Sequence, residues 1–354
     1  MSIPPAGWSG RTDGTAPEHL RWHQAVCALD STAFPTAAPS PQQAGSASAG
    51  GDSGAGGAAT DGRHTTALIG FASDEGVRRN HGRVGACQGP AALRSALSSL
   101  AVVDGTGYLA DAGDVTVQLG NEDSPGDLEA GQAQLAQQIT ALVDTHDLTV
   151  VLGGGHETAY ASYSGLAGST RVCSDTRIGI LNLDAHFDLR QAPLPSSGTP
   201  FLQAAQDEQS AGRQFSYAVV GISEANNTRV LFQTAEQLGV RWLTDEQSQT
   251  ADLGAVREFV RGFIAEVDVL YLTIDLDVLP AAVAPGVSAP AGLGVPLEVI
   301  TACVQEATGS GRLALADVVE LNPTLDVDGR TARTAARLIH TIVTRHRTAA
   351  AHLA

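Results

Sequence analysis

Short apolar runs alternate with amphipathic stretches along most of the chain from residue 64 onward. The runs have the length of buried strands and end in glycine, proline or charged residues, whereas apolar residues in the intervening stretches recur at helical spacing. Strands are predicted at 66–71, 107–110, 148–152, 178–183, 217–221, 240–243, 267–274 and 313–321. Helices are predicted at 18–29, 89–100, 128–143, 228–238, 253–265, from about 296, and at 331–345. This alternation predicts an α/β fold with three layers (α/β/α), in which helices cover both faces of a central, mostly parallel sheet.

The chain before residue 64 has a different pattern. Residues 1–36 contain Trp8, Trp22 and Phe34, and we expect them to pack onto the body as an N-terminal arm. Residues 37–63 consist mainly of alanine, glycine, serine, proline and aspartate, a composition typical of a flexible low-complexity segment. Residues 64–354 are predicted to form a single catalytic domain.

Charge and cysteine usage narrow the class of protein. The 354 residues carry 38 acidic groups against 21 basic ones, all of them arginine, for a net charge of −17. Such an acidic chain is a poor candidate for binding nucleic acid or an anionic membrane. The four cysteines are scattered and are expected to be reduced thiols. Since we find no signal peptide and no apolar run of transmembrane length, we expect a cytoplasmic protein.

A polar loop, residues 74–83, follows the first predicted strand of the body. It contains several arginines, a histidine and two glycines. The arginines and the histidine could bind an anion, or they could simply face solvent. The sequence leaves both interpretations open.

The ends of three predicted strands carry side chains that can bind a metal ion. One strand is followed by a glycine-rich turn and a histidine, and two others are followed by carboxylates at every second position. Because alternate residues of extended backbone point the same way, these groups can converge at one edge of the sheet. Burying carboxylates there without cations or a dense hydrogen-bond network would be very costly. The six candidate ligands are His156, Asp184, His186, Asp188, Asp275 and Asp277.

This set of ligands favours a site for two metal ions. Two divalent cations would neutralise the four carboxylates, and shared carboxylates would hold them roughly 3.5–4 Å apart, close enough to activate one water. Oxygen-rich ligation favours Mn²⁺, although Zn²⁺ or a single hard cation would also fit. Taken singly, each acidic pair could instead cap a loop, but the three together favour the metal site. One ion would be bound by His156, Asp184, Asp188 and Asp275, and the other by Asp184, His186, Asp275 and Asp277.

Four motifs resemble those of the ureohydrolase family, which includes arginase, agmatinase and formimidoylglutamase. They are Gly-Gly-Gly-His-Glu at 153–157, Asp-Ala-His-Phe-Asp at 184–188, Thr-Ile-Asp-Leu-Asp at 273–277 with the later Pro-Gly at 285–286, and Glu-Leu-Asn-Pro at 320–323. The resemblance implies an arginase-like fold, two Mn²⁺ ions per subunit held by the six ligands above, and hydrolysis of C–N bonds in amidine or guanidine groups. It also implies that Asp188 passes a proton to the leaving nitrogen, that Glu320 pairs with the cationic substrate group, and that the chain forms a trimer or hexamer.

Within this family, the stretches 70–80, 196–201 and 221–228 most resemble the formimidoylglutamases. We therefore expect hydrolysis of N-formimidoyl-L-glutamate to L-glutamate and formamide, a step of histidine breakdown. Ser197 stands where arginases carry a histidine thought to transfer protons, so proton delivery here is not expected to use that histidine.

The expected substrate has two carboxylates, which call for cationic and hydroxyl groups away from the metals. The candidate substrate-binding residues are Arg190, Ser196, Ser197 and Thr199. We expect Arg190 to make a bidentate contact with a substrate carboxylate. Alternatively, Arg190 could lie on the surface or pair with a neighbouring aspartate.

Three other functions are compatible with part of this pattern. Another guanidino hydrolase, such as arginase, agmatinase or guanidinobutyrase, would release urea from the same metal site. An inactive metal-binding relative would keep the ligands without turnover, although the intact Glu320 argues against it. A deacetylase-like enzyme with one Zn²⁺ would need three ligands rather than six.

Overall fold

The computed structural model describes residues 7–29, 64–121 and 123–348. Within these ranges the strands are β1 (Cys27–Ala28), β2 (Thr65–Ala72), β3 (Tyr108–Thr116), β4 (Leu148–Leu152), β5 (Ile178–Leu183), β6 (Ser216–Ile222), β7 (Arg241–Thr244), β8 (Val269–Asp275) and β9 (Leu313–Val319). The helices are α1 (Trp22–Ala25), α2 (Glu75–Arg79), α3 (Gly89–Ser98), α4 (Leu128–Thr145), α5 (Thr158–Ala167), α6 (Pro200–Ser210), α7 (Arg229–Gln237), α8 (Leu253–Ala265), α9 (Leu297–Gly309) and α10 (Arg330–Arg345).

The described strands form one sheet in the order β1-β3-β2-β4-β9-β8-β5-β6-β7. Every pair of neighbouring strands is parallel. The predicted parallel sheet is therefore confirmed. Because the strands are parallel, their carboxyl ends all lie along the same edge, where side chains from distant parts of the sequence can meet.

Helices cover both faces of this sheet, as the alternating pattern predicts. In β4, Leu148, Val150 and Leu152 pack into one core with α3, α8, α9 and α10. Val151 points the other way, into a second core with α4, α5, α6 and α7. Each fully buried aliphatic side chain of this kind contributes about 1.5–3 kcal/mol. The three-layer α/β/α architecture is thus built from strands that are apolar on both faces.

The N-terminal residues that the structure describes pack onto the body. The predicted helix at 18–29 is shorter than expected, because the chain becomes extended at Val26 and β1 then pairs with β3 at the edge of the sheet. Trp22 is fully buried, and Trp8 stacks on it with ring centroids 6.5 Å apart. The predicted low-complexity segment 37–63 lies outside the described residues, and the proposed domain boundaries remain predictions.

Three helices within the body are not anticipated by the sequence pattern. Helix α2 lies inside the predicted loop 74–83 and is held by Glu75, which is buried and accepts hydrogen bonds from Arg78 and Arg79. Helix α5 is rich in small residues and packs closely on α4, so that a Cβ at Gly165 would lie 2.6 Å from Ile139. Helix α6 begins at Pro200, a residue that favours the first turn of a helix. Among the described helices, none combines the length and the apolar character needed to cross a bilayer.

Candidate metal centre and its cavity

Four neighbouring strands bring the candidate residues together. In the sheet, β4, β9, β8 and β5 lie side by side, although they are far apart in the sequence. His156 and Glu320 come after the carboxyl ends of β4 and β9. Asp275 is the last residue of β8, and Asp184 directly follows β5. The order of the strands therefore turns four separate motifs into one cluster.

His156 lies at the centre of the first group of ligands. Its Nδ1 atom is 3.1 Å from Asp184 Oδ2, 2.9 Å from Asp188 Oδ2 and 3.2 Å from Asp275 Oδ2. In the part of the chain that the structure describes, this buried nitrogen nevertheless has no hydrogen-bond partner. Donor atoms that share one octahedral cation with bonds of about 2.1 Å lie about 3 Å apart. The orphaned nitrogen and its three oxygens therefore fit a metal ion.

The second group consists of Asp184, His186 and Asp277, whose ligand atoms lie within 4.8 Å of one another. His186 Nδ1 is 3.1 Å from Asp277 Oδ2 and 3.5 Å from Asp184 Oδ1. Asp184 thus presents one oxygen to each histidine. This arrangement suits a carboxylate that bridges two cations, as the sequence predicts for this residue.

The electrostatics of the cluster favour added positive charge. Burial alone would lower the pKa of His156 and His186, but the surrounding carboxylates raise both pKa values well above the ordinary range. Burial and the nearby Asp277 and Asp184 carboxylates raise the pKa of Asp275 well above its usual value. Four carboxylates, three of them buried, form with two imidazoles a donor set that a pair of divalent cations would neutralise.

Buried polar side chains hold the candidate ligands in position. The Nε2–H of His156 donates to Thr273 Oγ1 at 3.0 Å, an assignment that leaves Nδ1 unprotonated and free to bind a metal. Asn182 Nδ2 donates to Asp184 Oδ2 at 2.9 Å and to the Tyr217 hydroxyl at 3.0 Å. Thr273 stands in one of the four sequence motifs, but no role was predicted for it. Asn182 and Tyr217 were not predicted at all, and the signal that could have found them is a polar residue inside an apolar strand.

Two residues at the cluster have left-handed backbone conformations. Asp188 has a φ of 49° and Glu320 a φ of 66°. Such conformations are uncommon for residues other than glycine and are often found at functional sites. They turn the chain sharply just beyond β5 and β9, and both side chains line the cavity above the cluster.

Glu320 is an acidic residue of this site that is not one of the six candidate metal ligands. Its Oε1 atom accepts a hydrogen bond from the backbone N–H of His156 at 2.9 Å. Burial, together with the nearby Glu157 carboxylate, raises the pKa of Glu320 to about 8. A carboxyl group that is costly to ionise alone is well suited to pair with a cationic ligand group.

A cavity of about 410 Å³ opens over the candidate ligands. Of the candidate substrate-binding residues, Arg190 and Ser197 line it, but Ser196 and Thr199 do not. Thr199 Oγ1 accepts from the Ser196 N–H at 3.0 Å and donates to Gln203 Oε1 at 2.9 Å, so these residues shape the loop beneath. Much of the remaining polar wall comes from the loop 74–83, for which the sequence left both anion binding and solvation open. The additional polar residues of the wall are Asn80, His81, Arg83 and Ser288.

Comparisons with known proteins agree with this geometry. The model of the arginase family matches residues 64–344. A formimidoylglutamase from Rhodococcus jostii (strain RHA1) is 50% identical over 345 residues, covering 98% of this chain and 97% of that protein. A formimidoylglutamase from Nocardia farcinica (strain IFM 10152) is 51% identical over 343 residues, covering 97% of each chain. The crystal structure of Trypanosoma cruzi formiminoglutamase with Mn²⁺ matches 80% of this chain and 93% of its own, with a TM-score of 0.69 and 25% identity.

Proposed function

The chain belongs to the arginase family, and on that premise we propose that it is a hydrolase with formimidoylglutamase activity. It hydrolyses the amidine C–N bond of N-formimidoyl-L-glutamate and releases L-glutamate and formamide, which is a step of histidine catabolism. The observation that carries this proposal is a buried cluster suited to two cations beneath a cavity whose wall carries arginines. Identity of about half the residues with formimidoylglutamases over nearly the whole chain supports this substrate.

We propose two Mn²⁺ ions as the cofactor, held by His156, Asp184, Asp188 and Asp275 on one side and by Asp184, His186, Asp275 and Asp277 on the other. The orphaned His156 Nδ1 atom and the shared Asp184 carboxylate support this assignment. When bound, the ions would supply Lewis acidity that lowers the pKa of a water and stabilises developing negative charge.

The residues of the chain account for the remaining steps. Glu320 pairs with the cationic formimidoyl group and holds its carbon toward the cluster. Asp188 accepts a proton from the attacking water and delivers it to the nitrogen that leaves with L-glutamate. Arg190, which lines the cavity two residues beyond Asp188, binds a carboxylate of the substrate. Ser197 stands where arginases carry a histidine. The proposed proton route therefore runs through Asp188 and uses no imidazole in the loop that contains Ser197.

A panel of substrates tests the proposed activity. The Mn²⁺-loaded protein is offered N-formimidoyl-L-glutamate, arginine, agmatine and guanidinobutyrate, and formamide and urea are measured. We expect formamide from the first compound and no urea from the others. Urea from any guanidino compound would overturn the substrate assignment, and two bound ions without any turnover would indicate an inactive relative.

The cellular setting and assembly are also proposed. All four cysteines are unpaired, as expected in a reducing compartment, which supports a cytoplasmic location. The family resemblance supports a homo-oligomer, either a trimer or a hexamer. Light scattering coupled to size-exclusion chromatography distinguishes these two states from a monomer.

A further inference from the structure

Two arginines, Arg83 and Arg190, line the cavity over the candidate metal centre. They come from different segments: Arg83 lies in the loop after α2, and Arg190 lies beyond the end of β5. Among the described residues, neither guanidinium pairs with a carboxylate. Both side chains are exposed to solvent, as the sequence allowed for Arg190, yet both also line the cavity. Arginines that line a functional cavity without a carboxylate partner point to an anionic ligand.

Arg83 is held firmly in place by neutral groups. Its Nε–H donates to the carbonyl of Ser288 at 2.9 Å, and Nη2 donates to the carbonyl of Val287 at 2.8 Å. The backbone is fixed as well, since the Arg83 N–H donates to Ser288 Oγ at 2.8 Å and Asn322 Nδ2 donates to the Arg83 carbonyl at 3.1 Å. These contacts orient the guanidinium but leave its charge uncompensated and its Nη1 group available.

Arg190 is placed by the neighbouring loop. Its backbone N–H donates to the carbonyl of Gly198 at 2.9 Å. A Cβ atom at Gly198 would lie 2.8 Å from Arg190 Cδ, so the glycine leaves the space that the arginine stem occupies. Within the described part of the chain, the guanidinium has neither a hydrogen-bond nor an ion-pair partner.

The cavity has negative groups at its floor, formed by the candidate metal ligands, and two positive groups, Arg83 and Arg190, on its wall. The acidic lining residues are candidate metal ligands or Glu320, and the other described lining residues carry no carboxylate. Two divalent cations would neutralise the four ligand carboxylates, and Glu320 would be paired with the cationic formimidoyl group. The two arginines are then the charge of the wall that remains uncompensated. A ligand that matches this wall carries two negative groups.

We propose that Arg83 determines specificity together with Arg190, so that each arginine binds one carboxylate of the substrate. This inference rests on the proposed function. Arg190 is two residues from Asp188, the proposed proton donor to the leaving nitrogen, and the α-carboxylate is one carbon from that nitrogen. Arg190 therefore binds the α-carboxylate and Arg83 the γ-carboxylate, and the enzyme selects formimidoyl compounds with two carboxylates.

The test combines a variant with a matched change in the substrate. Arg83→Met removes the charge while keeping much of the length of the side chain. N-formimidoyl-L-glutamine replaces the γ-carboxylate by a neutral amide of the same shape. The control is Arg330→Met, because Arg330 also donates to a backbone carbonyl, that of Ala282 at 2.9 Å, but lies outside this cavity.

For the unaltered enzyme, we expect kcat/KM to be about 10- to 100-fold lower for the amide substrate than for N-formimidoyl-L-glutamate. Arg83→Met lowers kcat/KM for N-formimidoyl-L-glutamate by a similar factor, through KM rather than kcat. The same variant leaves kcat/KM for the amide substrate unchanged, so that the values for the two substrates become nearly equal. Arg83→Lys recovers part of the discrimination, and Arg330→Met behaves like the unaltered enzyme.

Other outcomes overturn the proposal. If Arg83→Met lowers kcat/KM equally for both substrates, or for neither, Arg83 does not bind the γ-carboxylate. A further substrate, N-formimidoyl-L-isoglutamine, carries the amide at the α-carboxylate instead. If Arg83→Met lost discrimination against this compound rather than against N-formimidoyl-L-glutamine, the assignment of the two arginines would be reversed and the proposal contradicted. Circular dichroism and manganese content check that the variant folds and keeps its site.

The proposed function and this inference can fail separately. If the unaltered enzyme does not hydrolyse N-formimidoyl-L-glutamate, the proposed function is wrong. If it does but Arg83→Met still discriminates, only the inference is wrong. Calorimetric titration of L-glutamate and of L-glutamine into the protein compares a γ-carboxylate with a γ-amide in the absence of turnover. Equal affinity of the unaltered protein for the two compounds would also contradict the role of Arg83.

Discussion

The two ends of the sheet both contain histidines, but their surroundings are opposite. At the carboxyl end, His156 and His186 face several carboxylates. At the amino end, His64 and His346 stack with ring centroids 4.7 Å apart, and His346 Nε2 donates to the carbonyl of Leu313 at the start of β9. The carboxyl end brings three carboxylates to His156, whereas at the amino end Asp147 Oδ2 lies 3.3 Å from His64 Nδ1 and His346 pairs with a neutral carbonyl.

This difference shows what decides whether a buried histidine is suited to a metal site. Burial raises the cost of charging an imidazole at both ends. At the amino end burial prevails and lowers the pKa of His346 to about 4, and it also lowers the pKa of His64. At the carboxyl end the carboxylates overcome burial and raise the pKa values of His156 and His186. Burial is common to both ends, so the converging carboxylates are what mark the candidate site.

The largest effect is expected from removing one carboxylate at the carboxyl end. Asp275→Asn should lower kcat/KM by more than the roughly 100-fold typical of residues that only support a ligand, because a proposed ligand of both ions is lost. Steady-state kinetics and metal analysis measure this loss. Asp268→Asn is the control, since Asp268 lies near the amino end of β8 and is half exposed beside Arg177. Similar activity of the two variants would contradict the assignment.

The amino end should respond to pH rather than to metal. His346 titrates at about 4 in the folded chain and about 6.5 when unfolded, so the fold favours the neutral ring. Its contribution is present above pH 6.5 and is lost as the pH falls toward 4, by about 3 kcal/mol in total. The other ionisable groups acting on this ring are His64, Asp147 and Arg171.

Denaturant unfolding between pH 7.5 and 4.5 checks this expectation by comparing the unaltered protein with His346→Gln. The free energy of unfolding should decrease less with falling pH in the variant. Groups at the metal centre titrate in both proteins and cancel from the comparison. Curves that stay parallel across this range would show that His346 is not the group responsible.

Metal removal should affect stability through the carboxyl end alone. An ion that binds the folded chain but not the unfolded one stabilises it by about 2.7 kcal/mol at a concentration 100 times its Kd. We therefore expect Mn²⁺ to raise the melting temperature of the chelator-treated protein, as measured by calorimetry. Asp275→Asn should show a much smaller rise, and His346→Gln should show the full one. An equal rise in all three proteins would place the bound metal elsewhere.

The smallest effect sharpens the comparison within the carboxyl end. Thr273→Val removes the hydrogen bond to His156 Nε2 and should weaken Mn²⁺ binding by about 10- to 100-fold. The control is Thr149→Val in β4, because the buried hydroxyl of Thr149 has no hydrogen-bond partner among the described residues. Titration calorimetry gives both affinities. If both variants bind Mn²⁺ alike, the hydrogen bond to Thr273 does not orient His156.

The sequence was sufficient to predict the layers and the convergence of the six candidate ligands. Apolar runs ending in His156, Asp184 or Asp275 predict buried parallel strands, and parallel strands share one carboxyl edge. The order of the strands was not predictable in this way. Nothing local to β9 indicates that it lies between β4 and β8, because that placement depends on packing across the whole sheet.

The elements missed by the sequence analysis depend on contacts between distant segments. Helix α5 is rich in small residues, which allow it to pack closely on α4. The local sequence pattern gives no indication of this packing partner. Likewise, Arg83 could be solvated or bind an anion on sequence grounds. Its orientation becomes evident only when the carbonyls of Val287 and Ser288 meet its guanidinium.

The position of β9 also sets when the site can form during synthesis. Strand β9 is the last of the described strands to be made, and it lies between β4 and β8. It therefore joins the half of the sheet carrying His156 to the half carrying Asp184 and Asp275. All six candidate ligands leave the ribosome before residues 313–319 do. A nascent chain that stops before β9 therefore has every ligand, but the strand that links the His156 side of the sheet to β8 and β5 is missing. The pairing that completes the sheet spans a long stretch of sequence. Binding of metal by the whole set of proposed ligands would consequently be a property of the finished chain.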